Sequence, residues 1–600
     1  MRKSYLFTFI AILVFLIFSF ITAYLNATQT GPDEQNQLSD QPSGDISEDT
    51  IATPPTETGL PTPSGGDVTP APASPTGTEP PGPAPTPWPP PFEPYATEET
   101  RPERMLASWG TMADGRITDN YSAAELIDFD SGEFYSQIDG VTTFRGNNFR
   151  DNATFGFSDI RNAKFGSRWS RNSGRLTAPD GVTWSGHGWT GQPLIVRWPK
   201  QTREIMNMHP WAKEQDELIE VIYAAMDGYI YFNELETGAP TRDKYNIGFT
   251  FKGSGAVDPR GYPLLYVGAG YESTKGAGRI FIISLVDGAI LHTFGNADSF
   301  AQRRWWFADG APLVDAGTDS LIYPIESGLV YIIKLNSVFD QNNGTMSINP
   351  STAVKWRYYG RRTSRGTGGF WLGFESSAVI WRGHLIVADN GGHLICLDLN
   401  TLEPVWVQDV LDDTNSSPVL ELEDGHPYIY ISTSFHGGWR APTGSTAVIP
   451  VWKIDAMNGE IVWHNDFQCY TVAGISGGVQ GTIAPGQYDL EHLIFVPVAR
   501  TPTRNAGILA AIDKRTGETI WEFQTRSYSW SSPVCVYTSE GKGYILYTTS
   551  GGLLYLIDGL TGVELDSIQL GGTIEASPAV FENTVVIGTR GQQYFGVQLT

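Results

Sequence analysis

The stretch "LAAIDKRTGETIWEF", residues 509–523, decides how the rest of the chain is read. Apolar residues alternate as far as Asp513, the chain turns through Thr516 and Gly517, and the alternation resumes around Trp521. Alternation with a period of two marks strands that bury one face. Asp and Thr side chains hydrogen-bond the backbone of the turn that follows them, and Gly accepts the positive φ of a tight hairpin. The stretch therefore predicts two strands joined by a hairpin. The Trp on the second strand is large and flat enough to pack against a neighbouring unit.

The pattern recurs. "CLDLNTLEPVW" carries Asp398, Thr401 and Trp406, and "KIDAMNGEIVW" carries Asp455, Asn458, Gly459 and Trp463. "LIDGLTGVELD" carries Asp558, Thr561 and Gly562, with Asp566 where a Trp would stand. Weaker copies lie near Glu234, Ser284 and Lys334, and successive copies are 45 to 64 residues apart. A repeat of this length built from strands predicts a propeller. Each repeat opens on a small-residue strand: "GQPLIV" (191), "GSGAVD" (253), "GAPLVD" (310), "ESSAVI" (375), "SSPVLE" (416), "GGVQGT" (477), "SSPVCV" (531) and "ASPAVF" (576). Small residues suit inner strands that crowd around an axis. The expected fold is all-β, an eight-bladed β-propeller of four-stranded antiparallel blades. The last repeat supplies three strands, so "AKFGSRWSRNSG", around Trp169, is expected to complete the eighth blade and close the ring. Closure removes exposed sheet edges.

Upstream of the repeats the composition changes twice. Residues 1–4 hold Arg2 and Lys3, and residues 5–24 are uncharged and apolar. Twenty helical residues span about 30 Å, the thickness of a bilayer core. The expectation is a transmembrane signal anchor with a cytoplasmic tip and the rest of the chain extracytoplasmic. The alternative is a cleaved signal peptide, but residues 25–27, "LNA", make a poor cleavage site and there is no lipobox cysteine. Residues 25–104 are rich in Pro, Thr, Ser and Gly, a composition that predicts a disordered, partly polyproline stalk. Residues 105–165 are expected to form an extension wrapping the propeller, which occupies 166–600.

The formal net charge of −25 argues against nucleic acid and against an anionic membrane surface as partners. Cys396, Cys469 and Cys535 are far apart and lie in apolar runs, so they read as buried small hydrophobes.

The A-x-D-x-x-T-G-x-x-x-W pattern of residues 511–521 resembles the tryptophan-docking motif of pyrroloquinoline-quinone (PQQ)-like repeat propellers, the quinoprotein alcohol dehydrogenase-like superfamily. "FRGNN", residues 144–148, is similar to a segment found ahead of the first blade in such proteins. The resemblance covers about 140–600, with one full copy of the motif, two near-complete and the rest degraded. It implies the propeller fold. It leaves function divided, because some members are PQQ- and calcium-dependent dehydrogenases and others keep the propeller without a cofactor, as in an outer-membrane assembly lipoprotein and in sensor domains. The adjacent Cys-Cys pair of many dehydrogenases is missing here, and their Asp base and calcium ligands match no motif residue by residue.

In a propeller, the loops that lead into the inner strands line one mouth of the channel. Here they are rich in aromatic and Arg residues: Trp189; Arg303, Arg304, Trp305 and Trp306; Arg361, Arg362, Arg365 and Trp371; and Trp530 after Arg526. Rings beside guanidinium groups suit a planar or anionic ligand, a glycan or a peptide. The bland alternative is that the Trp residues cap the core and the Arg residues pair with the acidic surface. Asp309, Glu375, Asn415 and Glu575 recur at equivalent loop positions, and as an aligned ring they would offer oxygen ligands to calcium. Two other motifs fail on context. "GISGG" at 474–478 leads into a strand and not a helix, and the Gly- and Lys-containing loop near Lys275 is not a Walker loop.

These readings favour a non-catalytic binding or scaffold module at the cell envelope, with no cofactor expected and an unknown envelope protein or glycan as partner. The alternatives are a PQQ- and calcium-dependent dehydrogenase of alcohols or sugars and a polysaccharide-binding module.

Overall fold

A computed structural model describes residues 92–362, 372–437, 444–472 and 475–600. The expected membrane helix, the stalk as far as residue 91, and Arg365 and Trp371 lie outside the described residues. Among the described residues no helix is long and apolar enough to cross a membrane.

Eight antiparallel sheets follow one another along the unit Phe92–Thr600. Their innermost strands are Leu194–Arg197, Ala256–Val257, Leu313–Asp315, Val379–Trp381, Val419–Glu423, Ala484–Pro485, Val534–Tyr537 and Ala579–Phe581, which define blades 1 to 8 in that order. Within a blade the strands run outward in antiparallel order, as in the consecutive hairpins of Val534–Tyr537, Gly543–Thr548, Leu553–Asp558 and Glu564–Gln569 in blade 7. The ring closes between the two ends of the repeat region. Phe165–Asn172 pairs antiparallel with Gln593–Leu599 and forms the fourth strand of blade 8.

The hairpin at 509–523 shows why the repeat has its residue types. Asp513 accepts hydrogen bonds from the N–H groups of Arg515 (3.0 Å) and Thr516 (2.7 Å). Gly517 turns the chain at φ +73° and donates its N–H to the Asp513 carbonyl. The outer-strand Trp then docks on the next blade by a constant geometry. Trp463 lies over Gly517 and donates Nε1–H to the carbonyl of Lys514, one residue beyond Asp513. Trp406 does the same to Gly459 and Ala456, Trp521 to Gly562 and Gly559, and Trp169 to Gly238 and Leu235. The last of these carries the contact from blade 8 to blade 1. Asp566 has a different task, because its carboxylate accepts the N–H of Phe165 and fastens the closing strand.

The small residues opening each blade have a role beyond size. A relay of hydroxyl groups links neighbouring inner strands. Ala311 N–H donates to Ser377 Oγ, Ser377 N–H to Ser417 Oγ, Ser417 N–H to Thr482 Oγ1, Thr482 N–H to Ser532 Oγ, and Ser532 N–H to Ser577 Oγ. Gln192 N–H likewise reaches Ser254 Oγ. Each bond satisfies a buried backbone donor at the axis, where no sheet partner is available.

Two parts of the N-terminal region differ from expectation. The stalk composition gives way to packed chain at Phe92, whose ring stacks on Trp381 at 4.8 Å. Thr100 is also buried, with Oγ1 bonded to the Asn458 carbonyl. The segment expected to wrap the ring does two jobs. Leu106–Ala113 and Arg116–Thr118 extend blade 3 outward, and residues 140–155 run across the inner strands. There Gly140–Val141 pairs with blade 1, Asn148 with Ile380 of blade 4, and Thr154–Phe155 runs parallel to blade 8. Arg150, fully buried, donates to the carbonyls of Ala378, Phe144 and Ala311 and to Thr143 Oγ1. Arg145 reaches the carbonyls of Arg150 and Pro533. Burial pulls both guanidinium pKa values down to about 10, so both stay charged at neutral pH. This segment plugs the channel on the side away from the loops that lead into the inner strands.

Candidate functional site

The hairpin Arg175–Thr177 and Thr183–Ser185 connects blade 8 to blade 1 and brings Trp184 and Trp189 to the channel mouth. Trp189 sits at φ +54°, a left-handed conformation rare for a bulky side chain. The rings form a continuous cluster, in which Trp184, Tyr271, Phe307 and Trp530 are buried and Trp189 and Trp305 are half-buried. Trp189 meets Trp530 at 5.9 Å and Trp184 at 6.2 Å, Trp184 meets Tyr271 at 5.2 Å, and Tyr271 stacks on Phe307 at 5.3 Å. Trp305 packs edge-on against Phe307, and the Arg303 guanidinium lies 4.3 Å above the Trp305 ring.

A lysine from the loop before blade 2 fills the centre of this cluster. Lys252 Nζ is 4.6 Å from the Trp184 ring centre, 4.9 Å from Trp189, 5.6 Å from Tyr271 and 5.7 Å from Phe307. Its ammonium is fully buried, makes no hydrogen bond and lies 3.6 Å from Asp309 Oδ2. Desolvation of the cation is offset by the ring quadrupoles and the carboxylate. Glu326, at the turn of blade 3's second hairpin, is buried beside it with both carboxyl oxygens unbonded. Burial pushes Asp309 up to about 7 against the pull of Lys252. Burial also raises Glu326 well above the carboxylate range, and Glu375 and Asp309 add to the effect.

The structure distributes the remaining expected residues more widely. Arg304 is exposed, and Trp306 is half-buried on the same loop. Arg361 is held on the flank of blade 3, where its Nε–H donates to the Glu103 carbonyl, and Arg362 pairs with Asp409 of blade 4. Among the described residues neither contacts the rings of that cluster. The acidic positions are committed to separate partners: Asp309 to Lys252, Glu375 to the Asn390 amide, Asn415 to Ser434 Oγ and Glu575 to Arg590. Among the described residues no three His, Cys, Asp or Glu side chains are arranged to hold a metal ion. A quinone tricarboxylate does not fit the aromatic cluster either. The Lys252 ammonium takes the space between Trp184 and Trp189. Sequence reasoning passed over Lys252 and Glu326, because a single Lys and a single Glu in separate loops carry no spacing signal.

Residues 505–599 match the family described as outer membrane protein assembly factor BamB. A curated relative, the beta-alanine-activating enzyme of Danio rerio, is 25% identical over 99 residues, covering 16% of this chain and 8% of that protein. The chain therefore spans only a small part of that relative's length. Among solved structures, BamB from Moraxella catarrhalis aligns with a TM-score of 0.39 at 16% identity, over 67% of this chain and 96% of that one. The quinohemoprotein alcohol dehydrogenase of Comamonas testosteroni aligns with a TM-score of 0.49 at 13% identity, over 80% and 83%. The fold is an eight-bladed β-propeller, and residues 505–599, with the Asp–Gly–Trp docking that recurs along the chain, are similar to PQQ-like repeats.

Proposed function

We propose that the chain is a membrane-anchored, extracytoplasmic propeller that binds a partner at the cell envelope through its aromatic mouth, without catalysis. The carrying observation is that residues 140–155 run across the inner strands, while a cluster of Trp rings, half-buried at Trp189 and Trp305 and flanked by the exposed Arg304, stands at the loops that lead into them. Such a ring is a one-sided receptor. The BamB description of residues 505–599 supports a role in envelope assembly. The apolar, uncharged run at residues 5–24 supports an anchor.

The test is photo-crosslinking in cells of the source organism from a probe placed at Arg304 on the mouth, with Ile520 on the outer flank as control. Protease treatment of intact cells or spheroplasts reports the side of the membrane. A discrete adduct from position 304 and none from 520, with the propeller exposed outside the cytoplasm, supports the reading. A protected propeller, or identical adducts from both positions, defeats it. Addition of PQQ and calcium to the purified chain is expected to give neither a quinone spectrum nor dye-linked oxidation of alcohols.

A further inference from the structure

The sign of the surface charge differs between the two faces of the ring. In an antiparallel four-stranded blade, the loop entering the inner strand and the hairpin joining the second and third strands lie on one face. On that face the exposed charges are Arg175, Lys275, Arg304, Arg361, Arg504 and Arg526, against Asp180 and Glu272. Six cations less two carboxylates leave four positive charges, on a chain whose formal net charge is −25. The other carboxylates of these loops lie deeper or are matched. Asp227, Glu326, Asp389, Asp412 and Asp413 are buried. Asp298, Asp409 and Glu575 pair with Lys355, Arg362 and Arg590.

The opposite face is acidic. Residues 117–144 lie there, with Phe129 N–H bonded to the Arg382 carbonyl and Arg197 N–H to the Asp139 carbonyl. This segment holds Asp119, Glu125, Asp128, Asp130, Glu133 and Asp139, all exposed, and no Lys, Arg or His.

The cations of the first face are placed to act outward. Among the described residues Arg175, Arg304 and Arg526 make no ion pair. Lys275 and Arg504 donate to the backbone carbonyls of Ile247 and Gly444, which leaves their charge unneutralised. Five of the six are Arg, whose planar fork takes a carboxylate through two parallel hydrogen bonds. Half-buried Trp189, Trp305 and Trp306 stand on the same set of loops, and Trp and Arg are the side chains that most often anchor protein interfaces. The cations come from six different loops, too widely spread for one small anion.

We propose that this face docks an acidic protein segment, whose Asp and Glu carboxylates pair with Arg304, Arg526 and the other exposed cations around the rings. The acidic face repels such a segment, so the charge difference sets the side on which it docks. The proposal rests on the reading of these loops as a receptor and names the chemistry of the partner.

The probe is a fluorescein-labelled glutamate hexadecapeptide, added to the purified full chain and followed by anisotropy at 50 mM and 200 mM sodium chloride. A glutamine peptide of the same length is the control, and polyphosphate of equal charge is the competitor. Expected is saturable binding of the glutamate peptide, at least tenfold weaker at the higher salt, and none of the glutamine peptide. The chain as a whole repels a polyanion, so such binding has to come from a local positive face. Arg304→Glu combined with Arg526→Glu should weaken it at least tenfold. Arg168→Glu combined with Arg515→Glu makes the same change in net charge at exposed positions away from these loops, and should alter affinity less than twofold. Circular dichroism checks that both double variants are folded. No saturable binding, or equal losses in the two double variants, overturns the proposal. Polyphosphate binding at least tenfold tighter than the peptide overturns a protein segment as the occupant in favour of a phosphate polymer. If crosslinking at position 304 finds a partner while the peptide fails to bind, the acidic segment falls and the envelope reading stands. Peptide binding without a crosslink reverses that outcome.

Discussion

The docking of each outer-strand Trp on the next blade can be tested at Gly517. An Ala there carries two separate costs. The left-handed backbone at φ +73° costs a residue with a Cβ about 1 kcal/mol. The new Cβ would also lie 2.7 Å from Trp463 Cδ2, closer than real contacts allow, so the indole must slide. Sliding gives up the 2.8 Å bond from Nε1–H to the Lys514 carbonyl, about 1 kcal/mol, and a share of the ring burial, about 1 kcal/mol more. Gly517→Ala should therefore cost about 3 kcal/mol, the sum of those terms. Gly425 provides the control, because it has φ +80° and a Cβ there would meet nothing within 4 Å, so Gly425→Ala should cost only the backbone share. Removing the ring makes the prediction sharper. Trp463→Ala alone should cost about 3 kcal/mol for a large side chain that is not fully buried. With the ring gone, Gly517→Ala should add only about 1 kcal/mol, a coupling of about −2 kcal/mol. The assay is urea unfolding of the four chains, followed by circular dichroism and fluorescence to check that one cooperative transition is seen. Additive costs, agreeing to within about 0.5 kcal/mol, would mean that the ring does not dock on the glycine as the geometry requires.

Three further outcomes follow from other parts of the molecule. Arg150→Lys keeps the charge but loses the planar fork that serves four acceptors on the plug and blades 3 and 4. It should cost about 3 kcal/mol by urea unfolding, where Arg304→Lys on the surface should cost nothing measurable. Ser417→Ala breaks one bond of the axial relay and leaves the Ser377 N–H buried without a partner, so a loss of about 1–3 kcal/mol is expected, and a loss below 0.5 kcal/mol (about the error of the method) would argue against the relay. Asp309 holds its proton up to about pH 7 in the folded chain, whereas the unfolded chain releases it near 3.8. The folded state therefore binds more protons across that window. Asp309's contribution to stability falls as pH rises from about 4 to about 7, with a limiting slope of about 1.4 kcal/mol per pH unit, and is level above it. Comparing Asp309→Asn with the unaltered chain across that window should show a shallower fall, the remainder coming from Glu326, whose carboxyl burial also raises. Identical pH profiles would contradict the placement of this carboxyl.

How much of this could be read from the sequence depended on how far apart the cooperating residues stand. The hairpin repeat was legible because Asp513, Thr516, Gly517 and Trp521 lie within nine residues, and each acts on its own turn or on the next copy of that turn. The closing strand was legible for a related reason: blade 8 lacks an outer strand, and Trp169 carries the repeat's signature ahead of blade 1. The plug was not legible as a plug. "FRGNNFR" shows two arginines five residues apart, and nothing in that spacing says that their acceptors are carbonyls at Ala311, Ala378 and Pro533. Those partners are 161 to 388 residues away along the chain. The site followed the same rule. Runs such as Arg303 to Trp306 pointed to the loops before the inner strands, because several residues of one kind sit in one loop. Its centre was hidden, because Lys252, Asp309 and Glu326 come from three loops and are joined only by the ring. A propeller repeats its scaffold in sequence and assembles its site across repeats, so local patterns reveal the first and conceal the second. The hydroxyl relay lies between these cases. Ser377, Ser417, Ser532 and Ser577 were visible as small residues at the blade openings, and size alone accounts for a small residue there without calling on its hydroxyl. A Ser rather than an Ala at those openings was the signal, because crowding at an axis favours both and only a buried N–H without a sheet partner favours the hydroxyl.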